Sequence, residues 1–412
     1  MAGGKGTRLQ SIYTSIPKPM VPINGRPILE NQIFQLKKYG IKDFILVIGY
    51  LGNVIKDYFG NGEKLGINVS YIEEASPLGS GGALYYLKDT IKEDFLLIFG
   101  DIIFNIDWYK AIQFHKDKKG LITLFAHPNS HPYDSDLILT DYNNQVIGID
   151  SKGNVRNYFY KNLVNAGLYI CSSKILNNFE EVKKLDFEKE VMLPLINNHF
   201  VYAYKTSEYI KDAGTPDRYE TINIDLNNHI DEDKNLFNMQ KAIFLDRDGT
   251  INKYNGFIKN TEDFSILDGV ASVIKKINNS KYLAIVITNQ PVISRGECTY
   301  EELDMIHKKL ETQLGKEGAY IDAIYYCPHH PDSGFKNEIK ELKIDCDCRK
   351  PKTGLLLKAK EDFNIDLAKS YFIGDSKIDV QTGNNANCLG SYQIKTDDVD
   401  ELRQIVNKII SN

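Results

Sequence analysis

Through the first half of the chain, short apolar runs alternate with longer stretches in which apolar positions recur at helical spacing. FILVIG (44–49), VSYIE (69–73), FLLIFG (95–100) and LITLFA (121–126) read as strands, and 27–39, 79–89 and 107–117 read as helices between them. That alternation of strand and helix implies a mostly parallel sheet covered on both faces. A polar stretch from about Asn223 to Asn238 (NIDLNNHIDEDKNLFN) breaks the pattern and is read as a linker. The alternation restarts at Lys241: strand KAIFLD, helix 269–279, strand YLAIVIT, helix 300–316, strand AIYYC, helix 353–363, strand YFIGD. The pattern predicts two α/β domains, 1–225 and 241–412, joined by a linker at 226–240.

Composition narrows the picture. At 412 residues the chain is long enough for two cores, and 42% hydrophobic with 25% charged residues is ordinary for a globular protein. A net charge of -5 argues against a nucleic-acid footprint, and no apolar run is long enough for a membrane helix. Anionic ligands must therefore be met by loop amides, a few Lys and Arg, and metal ions. Six cysteines form no disulfide framework: Cys327, Cys346 and Cys348 crowd together with His329, while Cys171, Cys298 and Cys388 are scattered. That usage fits a reducing, cytoplasmic compartment and one metal site.

The chemistry-bearing residues fall in two groups. At the start, MAGGKGTRL puts Gly3, Gly4 and Gly6 where backbone amides can approach a triphosphate, with Arg8 and Lys18 adding positive charge. Such a loop normally hangs from the end of a buried strand, and none precedes it here. Met1 is therefore expected to be an internal methionine of a longer natural chain, and the activity of the first domain depends on the absent strand. In the second domain, KAIFLDRDGTIN (241–252) sets Asp246 and Asp248 two apart just after a buried strand, in a loop at the carboxyl end of the sheet. Cys327-x-His329 and Cys346-x-Cys348 supply the four ligands of a closed tetrahedral zinc site. They would pin the excursion 330–345 and the residues just after it. His330 and His115 are read as non-ligands, although His330 could exchange with His329.

AGGKGTRL with PKPM (17–20), PLGSGGAL (77–84), FGD (99–101), NAGLY (165–169), FEKEVMLP (187–194) and KDAGTPDRY (211–219) resemble, in order, the sugar-1-phosphate nucleotidyltransferases. The resemblance implies a Rossmann-like fold, its first strand missing. It implies a magnesium-binding pair in Asp101 and Asp212, and a triphosphate clamp in Arg8 and Lys18. Gly81 and Gly82 would lie against the base or sugar, Asn165 and Glu188 would hold sugar hydroxyls, and Lys152 would meet the sugar phosphate. IDSKGN departs from the family's pattern on both sides of that lysine. Taken alone, Asp101 also suits a helix N-cap before 107–117, and Asp212 a turn.

DRDGT, Thr288 at the end of YLAIVIT, Lys350 in CRKP and GDSKID (374–379) resemble the haloacid dehalogenase superfamily of phosphatases and imply its Rossmannoid fold. The resemblance implies that Asp246 is the nucleophile and Asp248 the general acid and base, and that Thr288 and Lys350 hold the phosphoryl group. Magnesium would sit on Asp246, the Asp248 carbonyl and Asp375, with Asp379 behind. With the zinc loop, the match is to the branch of D-glycero-D-manno-heptose 1,7-bisphosphate phosphatases, which also holds histidinol-phosphate phosphatases. Asn289, Arg295 and Arg349 are the expected substrate contacts, although TNQPVISRGE (288–297) departs from the Ser-Gly usual after the Gln.

A phosphatase that turns a sugar bisphosphate into a sugar 1-phosphate supplies what a nucleotidyltransferase consumes. The fusion therefore implies a nucleotide-activated heptose, with GTP the favoured nucleotide. The alternative is a phosphatase carrying a non-catalytic domain that binds nucleotide or sugar phosphate. No oligomeric state is read from the sequence.

Overall fold

The computed structural model describes Met1 and residues 16–411. The chain forms two compact units: Met1–Ala126, Ile138–Asp150 and Asn165–Asn235, and His127–Leu137, Ser151–Val164 and Leu236–Asn412. Two excursions from the first half of the sequence, 127–137 and 151–164, thus belong to the second unit. Among the described residues no helix is long and apolar enough to cross a membrane.

In the first unit, β1 (Asp43–Ile48) and β2 (Asn68–Glu73) pair in parallel as a separate ribbon. The main sheet uses β3 (Phe95–Ile98), with β4 (Ile102–Asn105) following it in the chain but lying outside this sheet. It continues with β5 (Ile122–His127), β6 (Leu137–Thr140), β7 (Val146–Asp150), β8 (Val164–Cys171) and β9 (Val201–Lys205). Its order is β9-β5-β8-β6-β7, with β3 also on β8. β9 runs parallel to β5, but β8 is antiparallel to both β3 and β6, so the sheet is mixed rather than mostly parallel. Apolarity on both faces marks a buried strand and leaves its direction open.

β10 (Tyr209–Asp212) pairs antiparallel with β4, setting Asp212 opposite Ile102. Helices α1 (Ile28–Lys38), α2 (Trp108–Lys118) and α3 (Pro216–Asn227) flank these strands. The stretch 79–89 holds only a short 3-10 turn, Gly82–Leu87. The polar run expected to be a linker is folded instead. α3 extends into it, and Asn105 donates to buried Asp231 while accepting from buried Asn235.

The second unit is a parallel sheet built as the alternation predicts. Its strands are β11 (Lys241–Leu245), β12 (Tyr282–Asn289), β13 (Ala323–Cys327), β14 (Tyr371–Gly374) and β15 (Gly390–Gln393), in the order β13-β12-β11-β14-β15. Every neighbouring pair is parallel. The connecting helices are α4 (Val270–Asn278), α5 (Tyr300–Lys316), α6 (Gly354–Phe363), α7 (Lys377–Asn385) and α8 (Val399–Ile410). One apolar cluster, with Ile243, Leu245, Ile274, Ile306 and Val406, covers one sheet face, and another, with Phe244, Ile285, Leu356 and Phe372, the other. The strand order reverses around β11, and the carboxyl ends there form the crevice where open α/β sheets bind ligands.

Candidate functional site

Three strands of the second unit end on the residues singled out in the sequence. Asp246 follows β11, Thr288 and Asn289 close β12, and Asp375 follows β14. Asp379 lies in the first turn of α7, where it completes a capping box with Ser376. Lys350, brought in by the loop after the cysteine cluster, lies between two carboxylates: its Nζ is 2.8 Å from Asp246 Oδ1 and 2.6 Å from Asp379 Oδ1. Asp379 is fully buried and also accepts from Ser376 N and Oγ through Oδ2.

Burial pushes the Asp246 carboxyl up to about 7, against the pull of Lys350. Burial also works against the charge on Lys350, but Asp246 and Asp379 together hold its pKa above the ordinary lysine value. The carboxylates of Asp246, Asp375 and Asp379 lie within 4.8 Å of one another, and one ammonium cannot balance three of them. The two surplus negative charges suit one divalent cation on oxygen ligands. Asp375 accepts from Thr396 Oγ1 at 2.7 Å, and burial raises its pKa. Gly249, at φ +79°, lets the loop pass this carboxylate; a Cβ there would meet Asp375 Oδ2 at 2.4 Å.

Three residues that sequence reasoning left without a role converge on Asp248. Arg247 Nε and Nη2, Asn252 Nδ2 and Gln290 Nε2 all donate to its carboxylate, and Gln290 also donates to Thr288 Oγ1. All three stand inside the quoted motifs (DRDGTIN and TNQ), so the signal was present.

The second ligand cluster is tight. Cys327 Sγ lies 3.5 Å from Cys346 Sγ and 3.1 Å from Cys348 Sγ, and His329 Nδ1 is 3.2 Å from Cys348 Sγ. The four ligand atoms lie within 4.8 Å of one another and the cysteines are unpaired by disulfides, a donor set fitted to zinc. His330 turns instead to the backbone N of Asp332, and His115 is buried against Thr123. Arg349 donates to the carbonyl of His329, and Asn289 brackets the Lys350 backbone by donating to its carbonyl and accepting from its N–H. Asn289 thereby holds the lysine loop. Arg295 lies between the rings of Phe257 and Phe335, 4.2 and 4.5 Å from their centroids.

In the first unit, the pairing of β4 with β10 brings Asp101 and Asp212 to one end, where Ala213 N donates to the Asp101 carbonyl. Lys18 Nζ lies 2.5 Å from Asp101 Oδ2, and Arg218 Nη1 donates to both oxygens of Asp212 at 2.8 and 2.9 Å. The N-cap of α2 is Asp107, which leaves Asp101 free of that duty. Glu188 Oε1 accepts from Asn165 Nδ2 and Tyr169 OH, so the two residues expected to meet a sugar do come together.

Gly81 and Gly82 pack closely on the segment 183–187. A Cβ on Gly82 would meet the Lys183 carbonyl oxygen at 2.3 Å, and one on Gly81 the Phe187 Cα at 3.2 Å, so their smallness serves packing on 183–187. Lys152 lies in 151–164, which belongs to the second unit. Gly3, Gly4, Gly6 and Arg8 lie outside the described residues.

Fold and sites together define a class: a nucleotidyltransferase fold joined to a haloacid dehalogenase-like phosphatase fold, hence a bifunctional transferase and phosphatase. The chain belongs to the nucleotidyl transferase family, whose model matches residues 1–229, and through its second part to the D-glycero-β-D-manno-heptose-1,7-bisphosphate 7-phosphatases. The second membership rests on the Salmonella typhi enzyme of that name, 39% identical over 155 residues, which are 38% of this chain and 80% of that protein. The family model for polynucleotide kinase 3 phosphatase matches 241–388. Among solved structures, HddC from Yersinia pseudotuberculosis is 29% identical with a TM-score of 0.48, covering 55% of this chain and 96% of that one. The D,D-heptose 1,7-bisphosphate phosphatase of B. bronchiseptica, complexed with magnesium and phosphate, is 27% identical with a TM-score of 0.36, covering 42% and 99%.

Proposed function

We propose that the second unit removes the 7-phosphate of D-glycero-β-D-manno-heptose 1,7-bisphosphate, and that the first couples the resulting heptose 1-phosphate to GTP, releasing pyrophosphate. The observation that carries this reading is the Asp246–Lys350–Asp379 chain at the carboxyl end of the parallel sheet, beside Asp375 and an Asp248 gripped by donors. Asp246 attacks phosphorus and forms an aspartyl-phosphate. Asp248 protonates the departing sugar oxygen and then takes the proton of the hydrolytic water. Thr288 and Lys350 hold the phosphoryl oxygens, and Arg295 and Arg349 meet the rest of the substrate.

A magnesium ion held by Asp246, Asp375 and the Asp248 carbonyl supplies the charge that lets carboxylate and phosphate approach. Cys327, His329, Cys346 and Cys348 hold a structural zinc, which fixes the loop leading to Arg349 and Lys350, and a reducing cytoplasm keeps those thiols free. In the first unit Asp101 and Asp212 hold magnesium, Lys18 and Arg8 neutralise the triphosphate, and Asn165 and Glu188 orient the sugar. Catalysis there is positioning and charge neutralisation, with no covalent intermediate.

The test is incubation of the full chain with a panel of sugar bisphosphates and histidinol phosphate, with each NTP in turn. Phosphate, pyrophosphate and product mass are measured. Phosphate release from the heptose bisphosphate followed by a GDP-heptose mass is expected. Faster release from histidinol phosphate would refute the phosphatase assignment, and phosphate release without any nucleotide-sugar product would refute the transferase assignment.

A further inference from the structure

Arg247 stands between the two aspartates of the phosphatase loop, yet its side chain is fully buried. A buried guanidinium is held at a cost unless its donors are matched, and here they are. Nε lies 3.1 Å from Asp248 Oδ1, Nη2 lies 3.0 Å from both Asp248 oxygens, and Nη1 lies 3.3 Å from His307 Nε2. His307 projects from α5 with 8% of its surface exposed, its ring 5.6 Å from that of Tyr326. Burial, then the charges of Arg247 and Lys161, hold its pKa well below the ordinary histidine value. The ring is therefore neutral, and the bond to Arg247 assigns its proton to Nδ1, leaving Nε2 as acceptor.

The other donors to Asp248 are not equivalent. Asn252 Nδ2 meets Oδ1 at 3.0 Å, and Gln290 Nε2 meets Oδ2 at 2.9 Å. Every lone-pair direction of the carboxylate is thereby taken, since a carboxylate offers about four acceptor sites. A group that must carry a proton to a leaving oxygen needs one of those sites back. Arg247 cannot yield it without leaving a buried charge unpaired. Gln290 can, because the same Nε2 has Thr288 Oγ1 as a second acceptor at 2.9 Å.

We propose that Arg247, braced by His307, is a positioning residue that fixes the orientation of Asp248, and that Gln290 is the donor that yields Oδ2 to the reacting proton. The proposal rests on the aspartate-nucleophile reading above. In the first step the Asp246 oxygen–phosphorus bond forms, the phosphorus–sugar oxygen bond breaks, and the proton on Asp248 Oδ2 passes to the sugar oxygen. In the second, water oxygen bonds to phosphorus, its proton returns to Oδ2, and the Asp246–phosphorus link breaks. The sum is phosphomonoester plus water to alcohol plus phosphate.

The experiment compares His307→Leu, His307→Gln and Arg247→Lys in the full magnesium-loaded chain. Leaving-group release is followed in single turnover from the heptose bisphosphate and from p-nitrophenyl phosphate, whose leaving group departs without protonation. General acid catalysis contributes roughly 10²–10⁴-fold, so a misoriented Asp248 is expected to slow the sugar substrate about 10–100-fold. KM should be nearly unchanged and the aryl substrate slowed by less than about threefold. Gln, which keeps an acceptor, should recover most of the loss. Arg247→Lys keeps the charge without the two-pronged grip and should behave like Leu, which preserves the test if the Leu variant does not fold. Equal losses on both substrates, or Gln no better than Leu, overturn the proposal. Asp246→Asn separates the layers: if it still releases phosphate, the nucleophile reading itself fails, whereas if it is inactive and the substrate split is absent, only the positioning role is lost.

Discussion

Replacing Lys350 by Met removes the ammonium that two carboxylates share, that of Asp379 fully buried and that of Asp246 nearly so. The side chain of Lys350 is 4% exposed, that of Asp246 13% and that of Asp379 0%, and the contacts are 2.8 and 2.6 Å. At an effective dielectric near 20, each contact is a gross attraction of roughly 6 kcal/mol. Desolvation of the three groups offsets most of that, and stripping one partner from a buried pair costs about 3–5 kcal/mol net. Domain stabilities are about 5–15 kcal/mol, so the loss is a large fraction of what holds the second unit together.

Urea unfolding in the presence of a chelator is the assay, because a divalent cation would stand in for part of the missing charge. With slopes of about 1–3 kcal/mol per molar urea, the midpoint should fall by more than about 1 M. Adding Asp379→Asn to Lys350→Met removes one of the stranded carboxylates and should return about half of the loss, so the two substitutions will not add. A Lys350→Met midpoint within the range of an ordinary surface change, or strict additivity in the double variant, would mean that the two carboxylates do not depend on this ammonium.

Asp246→Asn is expected to abolish phosphate release while sparing pyrophosphate release from a supplied sugar 1-phosphate and GTP, and Asp101→Asn to do the reverse; loss of both activities from either change would sink the proposal of independent sites. Cys348→Ser, or prolonged chelation followed by return of magnesium alone, should strip zinc, seen by elemental analysis, and lower phosphate release while leaving nucleotidyl transfer intact. Gly249→Ala should cut phosphatase turnover, because its Cβ would fall 2.4 Å from Asp375 Oδ2 at a backbone φ of +79°; full activity would show that the loop gives way freely. Burial holds both His115 and His307 below the ordinary histidine value. As pH falls, the unfolded chain therefore takes up those protons first. Their contribution is complete above about pH 6.5 and is lost below it, by up to about 1.4 kcal/mol per histidine for each pH unit until the folded value is reached. His115→Gln should flatten that acid limb in a melting series.

Much of the second unit was legible because each of its main strands is a short apolar run that stops at a chemically marked residue. Asp246, Thr288 and Asp375 each sit at such an ending, and a parallel sheet gathers those endings on one edge. The first unit was harder for the same physical reason. VNAGLYIC is mostly buried and mostly apolar whichever way it runs, so its antiparallel pairing left no trace in the pattern. The polar stretch before Asn238 read as linker because its burial is of polar groups, Asp231 and Asn235 on Asn105, which no hydrophobic periodicity reports. Arg247 and Gln290 were visible as letters within motifs, but their grip on Asp248 depends on side-chain direction. His307, sixty residues further on, has no sequence signal linking it to Arg247.

The two excursions in the second unit constrain how this chain can be divided or assembled. Tyr160 exchanges backbone bonds with Thr312 Oγ1, and Asn162 N donates to buried Glu311, all on the flank of α5. A cut at Asn235 would separate these strands of peptide from the helix they cover, and a fragment beginning at Leu236 would expose that flank to water. During synthesis, residues 127–137 and 151–164 leave the ribosome well before α5 exists to receive them. The excursions therefore find their partner only once α5 has been made, and the gene cannot be split between its two activities at the boundary its motifs suggest without patching that surface.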